Sequence, residues 1–306
     1  MTVPTGPPRC VVRLDNLATA SEGASARGKR RMSEQVAQHY GKGGLLDRVL
    51  GALREAGKDL DHLSIDDLAP VDEFHSRRRL ATQELAALLA PAAQDHVIVI
   101  GSGLGGPSRY LAATYGCRVS GVDLTPEFVE TATALTVRVG LTELVDFRVG
   151  SALALPFPDG SFDRAWSQNV AMNIADRPRY YAEMYRVLRP GGRVAIQDVA
   201  IGNGEALQFP VMWADRPEIS FLRTPAETRT MLEAAGFRVV HWIDNTEAAL
   251  AEAEADRQRM PGVASAPPVL GIHVVVGPSF REKMRNAQSA MVAGRTRLIN
   301  AVLAKD

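Results

Sequence analysis

Five residues, His96-Val97-Ile98-Val99-Ile100, run straight into Gly101-Ser102-Gly103-Leu104-Gly105-Gly106. A short apolar run of this kind suits a strand buried on both faces, as in parallel sheets covered by helices. Glycines after such a strand let the backbone turn sharply and approach a ligand closely. The rest of the chain repeats the alternation. Arg118–Asp123, Val145–Val149, 162–167, 193–199 and 237–243 read as further strands, and 271–277 as the last one. Thr125 can cap a helix with Pro126 in its first turn, and Asp176 can cap another that runs through Leu188. Thr224-Pro225-Ala226-Glu227 is a capping box whose helix stops at Gly236. Residues 248–258 form a polar, Ala-rich helix, and 281–303 read as a terminal one. The pattern predicts an α/β fold with a mostly parallel sheet.

Ahead of the first strand, residues 33–90 read as a helical N-terminal cap, with Leu45, Leu46, Val49, Leu50 and Leu53 at helical spacing. Ser64-Ile65-Asp66-Asp67 fits a capping box. Residues 1–32 lack periodicity, end in Arg27-Gly28-Lys29-Arg30-Arg31, and read as a mobile tail; an organellar transit peptide is the other reading of so few acids. Residues 91–306 then form the core, with a substrate-covering insertion near 202–224 and a C-terminal helix. The chain of 306 residues carries 35 basic and 35 acidic side chains. That balance argues against nucleic acid or an anionic membrane as a partner. Two cysteines exclude a disulfide framework and a Cys-rich zinc site, and no cluster has metal-ligand spacing. No apolar run reaches the roughly 18 residues of a membrane span, and no signal-peptide core opens the chain. The expectation is a cytoplasmic protein that binds a small molecule, with a homodimer open.

Asp123 closes the second strand, 22 positions after Gly101. A carboxylate there can accept both hydroxyls of an adenosine ribose. Gly101, Gly103 and Gly106 satisfy the dinucleotide spacing G-x-G-x-x-G, while Gly101, Gly103 and Gly105 satisfy a G-x-G-x-G loop for S-adenosylmethionine. A ligand-free strand-to-helix turn would use the same glycines.

Two later segments add a resemblance. The stretch from Gly150-Ser151-Ala152-Leu153 through Leu155-Pro156-Phe157-Pro158-Asp159-Gly160-Ser161-Phe162-Asp163 resembles the link between strands three and four of class I S-adenosylmethionine-dependent methyltransferases. Glu183-Met184-Tyr185-Arg186-Val187-Leu188-Arg189-Pro190-Gly191-Gly192-Arg193 resembles that family's entry into strand five. The likeness covers roughly residues 75–245 and is nearest to the small-molecule branch of sarcosine/dimethylglycine and quinone-biosynthesis enzymes. It implies a Rossmann-like sheet of seven strands, the last antiparallel, with helices on both faces. It also implies roles. Gly101, Ser102, Gly103 and Gly105 should lie against the methionine part of the cofactor. Asp123 should bind the ribose, with Leu124 beside the adenine and Ser151 and Ala152 at its edge. Gln168 should lie near the amino group and the reacting methyl. Tyr40 resembles a tyrosine that the family places over the cofactor, and Thr82 is a candidate for the methionine end. Two departures stand out: Val99 and Ser151 occupy positions where the family usually or often has an acid.

Methyl transfer from a sulfonium is an in-line displacement, so alignment is the protein's main task. A base is needed only when the nucleophile must lose a proton. His75, in Asp72-Glu73-Phe74-His75, is the candidate base, and Glu73 a weaker one. Asn169, Met172 and Asn173 follow strand four and should line the acceptor pocket. Trp213 and Phe221 should supply a lid or wall. His241 reads as a packed sheet residue and His273 as the start of the last strand. Arg77-Arg78-Arg79 reads as a solvated face, or as a contact for an acidic substrate. The absence of a histidine directly after strand four favours an amine acceptor, with oxygen and carbon open. The expected activity is methylation of a small molecule. Val99 and Ser151 motivate a second reading, a non-catalytic assembly subunit. The shared glycine spacing motivates a third, a nicotinamide (NAD) dehydrogenase.

Overall fold

A computed structural model describes Gln35, Tyr40, Gly41, residues 43–259 and residues 268–306. The predicted tail falls outside these residues. Three helices come first: α1 (Leu45–Glu55), α2 (Ile65–Asp72) and α3 (Arg78–Leu89). The core follows as β1 (His96–Ile100), α4 (Gly106–Tyr115), β2 (Arg118–Asp123), α5 (Pro126–Arg138), β3 (Val145–Val149), β4 (Phe162–Gln168), α6 (Arg177–Val187) and β5 (Leu188–Ile201). After it come α7 (Pro225–Ala234), β6 (Arg238–Asp244), α8 (Thr246–Arg259), α9 (His273–Val276), α10 (Phe280–Val292) and β7 (Thr296–Ala304).

The seven strands lie in the order β3-β2-β1-β4-β5-β7-β6. β7 runs antiparallel to both β5 and β6, and the other pairs are parallel. The chain reverses direction of travel across the sheet between β1 and β4, the switch point at which open α/β sheets bind ligands. One face of the sheet packs Trp166, Val97 and Val99 against Leu85, Ala86 and Leu89 of α3. The other packs Ile98, Ile100 and Ile196 against Tyr180, Tyr181 and Met184 of α6.

Two sequence expectations are corrected at the C-terminal end. Residues 271–277 are not a strand. His273–Val276 forms one helical turn, and Val275 is buried in the cluster that holds Leu45, Val49 and Leu68. Nor is 281–303 one helix. α10 ends at Val292, Gly294 takes φ 70°, and Arg295 N–H returns to the Ala290 carbonyl. The chain then enters the sheet, where Thr296–Ala304 pairs residue by residue with β5 from Arg193 to Ile201. A run such as Leu298-Ile299-Asn300-Ala301-Val302-Leu303 reads equally as a buried helix or a strand. The open place between β5 and β6 decides it.

The capping boxes at Ser64 and Thr224 form as expected, and the Asp176 side chain accepts from Arg179 N–H. Thr125 occupies the N-cap of α5 but makes no side-chain cap bond; the Asp123 carboxylate takes its N–H instead. The N-terminal helices are tied to the core by charge. Glu127 of α5 accepts from Gly43 N–H at 2.9 Å and Leu45 N–H at 2.7 Å, serving as a remote cap for α1. Arg109 of α4 donates to Asp72 at 2.8 Å with neither side chain exposed. Losing one partner of such a pair leaves a buried charge uncompensated. Among the described residues no helix is long and apolar enough to cross a membrane.

Candidate active site

A cavity of about 1170 Å³ opens beyond the carboxyl ends of β1, β2 and β4. The glycine loop forms its floor. Gly101, Gly103 and Gly105 all have positive φ, at 69°, 52° and 85°. A Cβ on Gly101 would collide with Val170, whereas one on Gly103 would meet nothing within 4 Å. The backbone above Gly103 is therefore open to a ligand. Gly105 lies behind the loop as the N-cap of α4, where a Cβ would come within 2.6 Å of Phe147.

Asp123 binds the loop together. One carboxylate oxygen accepts from Gly103 N–H at 2.8 Å and the other from Thr125 N–H at 2.9 Å. Burial raises its pKa, and the backbone amides offset this only in part. A buried carboxylate favours a ligand that brings it hydroxyl donors. Ser102, only 4% exposed, lines the cavity with a hydroxyl that has no partner among the described residues. Leu124, Ser151 and Ala152 continue the wall. The Ser151 hydroxyl accepts from Leu153 N–H at 3.2 Å, so it shapes its own turn. Val99, 2% exposed, supplies an apolar patch where the resemblance leads one to expect an acid.

At the end of β4 the cavity meets the cap. His75 Nε2 lies 2.7 Å from Glu73 Oε2, with the two side chains 4% and 0% exposed. A carboxylate only accepts, so Nε2 carries a hydrogen. Nδ1 lies 3.2 Å from Gln168 Nε2 and 3.3 Å from the Ser76 carbonyl oxygen. Burial alone would raise the Glu73 pKa. Hydrogen bonds from His75 and Thr82, with the Arg79 guanidinium 2.5 Å away, outweigh it and hold the carboxyl below its usual range. Thr82 is buried beneath this pair and does not line the cavity, which corrects its placement at the methionine end; its hydroxyl is used on Glu73. The Gln168 amide is also engaged by the protein, accepting from Trp166 Nε1 and donating to Gln197. Asn169, at φ 53°, lines the cavity and donates to Ser76, and its Oδ1 is buried without a partner among the described residues.

Asn173 is a junction. Its Oδ1 accepts from Tyr40 Oη at 3.0 Å, and its Nδ2 donates to the carbonyls of Trp213 at 2.8 Å and Ile219 at 3.1 Å. Tyr40 sits in the wall between Phe74 and Phe128, its phenol pKa held well above the usual range by burial and by Asp123 and Asp215. Met172 and Trp213, each 3% exposed, line the cavity. Phe221 does not. Its N–H goes to the Met172 carbonyl at 2.7 Å, so it braces the wall from behind.

Each arginine of the run is paired, Arg77 with Glu84 and Glu252, Arg78 with Asp256, and Arg79 with Glu73 and Asp66; Arg78 is nevertheless exposed, and Arg77 and Arg78 both line the cavity. His241 is exposed on β6, not packed. His273 opens α9 and lines the cavity, its pKa lowered by burial. Sequence reasoning missed the wall supplied by α9 and α10. Phe280, Met284, Ala287 and Met291 all reach the cavity, and their helical spacing was the signal that could have found them.

Residues 98–196 match the family model described as "Methyltransferase domain". A sarcosine/dimethylglycine N-methyltransferase of Halorhodospira halochloris is 30% identical over 194 residues, which span 62% of this chain and 68% of that protein. A probable chloroplastic tocopherol O-methyltransferase of Oryza sativa subsp. japonica is 34% identical over 164 residues, 51% of this chain and 45% of its own. The chain thus spans less than half the length of the rice relative. The solved geranyl diphosphate methyltransferase, in complex with GPP and sinefungin, shares the fold: TM-score 0.63, 18% identity, 90% of this chain and 100% of that one. The chain belongs to the class I S-adenosylmethionine-dependent methyltransferases, in their small-molecule branch. With that, the dinucleotide reading of the glycine spacing falls away.

Proposed function

We propose that this protein methylates a hydroxyl group on a small molecule, using S-adenosylmethionine. The observation that carries the acceptor part is the buried His75–Glu73 pair at the cavity wall. When bound, the cofactor supplies an electrophilic methyl on a sulfonium, whose sulfur departs as a neutral thioether. Gly101 to Gly103 and Asp123 would hold its methionine and ribose parts, with Leu124, Ser151 and Ala152 around the adenine. Asp123 already presents a carboxylate fixed by two backbone amides, which favours tight recognition of paired hydroxyls. His75 would take the acceptor's proton at Nδ1 once the acceptor hydroxyl displaces the Gln168 amide there, and Glu73 would stabilise the imidazolium that results. An amine that arrives as its free base would need none of this, which sets the hydroxyl reading ahead of the amine one.

The test has two arms. Calorimetry with S-adenosylhomocysteine should show micromolar binding that Asp123→Ala weakens at least about tenfold, since hydrogen bonds to a charged group are worth about 1.5–3 kcal/mol each. Folded protein that binds neither cofactor nor product would favour the non-catalytic subunit. In turnover with labelled cofactor, His75→Gln should lower kcat for a phenolic acceptor about 10²–10⁴-fold, the usual span of general-base catalysis. Undiminished transfer in that variant would remove His75 as the base.

A further inference from the structure

The cavity has two unlike halves. The half at the strand ends is polar and glycine-rich, as described above. The half beneath α9 and α10 is walled by Met172, Trp213, Leu270, Ile272, Met284 and Met291. We propose that this second half is an acceptor subsite for a bulky, largely apolar molecule that presents one hydroxyl toward His75. The inference rests on the methyltransferase reading and adds the substrate class to it.

Three observations carry it. The first is size. A pocket for one drug-sized ligand spans roughly 300–1,000 Å³. The 1170 Å³ here exceeds that range, so a cofactor that fills only part of it leaves room for a second molecule. The second is charge. Glu252 and Asp256 reach the rim, each paired, with Arg77 at 2.9 Å and Arg78 at 2.7 Å, and Arg281 and Arg285 of α10 also line the cavity. The ammonium of a small zwitterion would meet thioethers, an indole and these like-charged guanidiniums, and a cation without a partner does not move from water into such a wall. The third is the nature of the wall. Met172, Met212, Met284 and Met291 contribute four unbranched, polarizable side chains that mould to an irregular apolar surface. The Trp213 indole N–H is used on Ser220 at 2.9 Å, so the ring fixes shape and not polarity.

The experiment saturates the full chain with S-adenosylhomocysteine and titrates it with phenol, butylphenol, octylphenol and sarcosine. Affinity should rise along the phenol series, by up to about fourfold per buried methylene. Sarcosine should give no saturable heat. Leu270→Glu and Met284→Glu should each weaken octylphenol at least tenfold, while S-adenosylhomocysteine affinity stays within twofold and reports that the variants are folded. A flat series, sarcosine binding in its place, or octylphenol binding indifferent to both substitutions would each overturn the apolar subsite. Loss of S-adenosylhomocysteine binding in the wild type, with the phenol series intact, would strike the methyltransferase reading and leave the apolar pocket standing.

Discussion

Asn173 offers a sharp test because three separate parts of the chain meet on one amide. Tyr40 donates to its oxygen, and its nitrogen donates to Trp213 and Ile219. Asn173→Ala removes three hydrogen bonds. At about 1 kcal/mol each that is about 3 kcal/mol, and half-burial lets water recover some of it, leaving about 2 kcal/mol. Asn173→Asp is nearly isosteric and keeps the acceptor for Tyr40. It nevertheless sets an oxygen against two carbonyls and adds an unpaired charge. The expected loss at pH 8 is about 4 kcal/mol, so the conservative change is the worse one. The introduced carboxyl has its folded pKa raised above the unfolded value near 3.9. Its extra penalty is absent below that value and grows as pH rises toward the folded pKa. Urea unfolding of the wild type and both variants at pH 5 and pH 8 measures this directly. An aspartate variant as stable as the alanine one at pH 8 would mean that the amide is oriented the other way or the junction is not closed.

Three further outcomes follow from the same geometry. Gly101→Ala combines a positive φ with a collision at Val170, and should cost about 2–4 kcal/mol by thermal unfolding and weaken S-adenosylhomocysteine binding more than tenfold. Glu73→Gln removes the charge that orients His75, and should lower kcat for a hydroxyl acceptor about 10–100-fold with KM nearly constant; an equal rise in KM alone would refute it. Asp198, buried and 3.1 Å from Ala171 N–H, has its pKa pushed up to about 6 by burial. Its ionisation therefore destabilises the fold as pH rises from about 4 to about 6, by about 3 kcal/mol in all. Asn keeps the acceptor without the charge, so the stability of Asp198→Asn relative to wild type should climb across that window and level off above it. Parallel curves from pH 4 to pH 8 would show that the carboxyl pays no burial penalty.

The cofactor half of the site was legible because it is written in local chain geometry. Three glycines with positive φ, a strand before them and an acid at the end of the next strand lie within 28 consecutive residues. The acceptor half was not, because pairing partners decide it. Val274, Val275 and Val276 are β-branched and read as strand, yet they fold as a helical turn against α1 and α2. Leu298 to Leu303 carries no period that separates strand from helix, and only the gap between β5 and β6 settles it. Glu73 and His75 were each visible, but their partnership depends on a turn after α2 that brings His75 N–H to the Glu73 carbonyl at 2.9 Å. Thr82 was misplaced for the same reason. A threonine on the first turns of a helix shows its spacing but not that its hydroxyl is already used.

The two halves of the cavity also have different addresses in the chain. Asp123 and the glycine loop belong to the strands that build the sheet and the turn between them, where a change disturbs folding. Leu270, Ile272, Met284 and Met291 belong to elements that stand outside the parallel strands and pack over their ends. The shape of the apolar half can be varied at Leu270, Ile272, Met284 and Met291 by exchanging one apolar side chain for another, away from the glycine loop and Asp123. An engineer seeking a different methylated product should therefore leave residues 98–196 alone and vary residues 268–292.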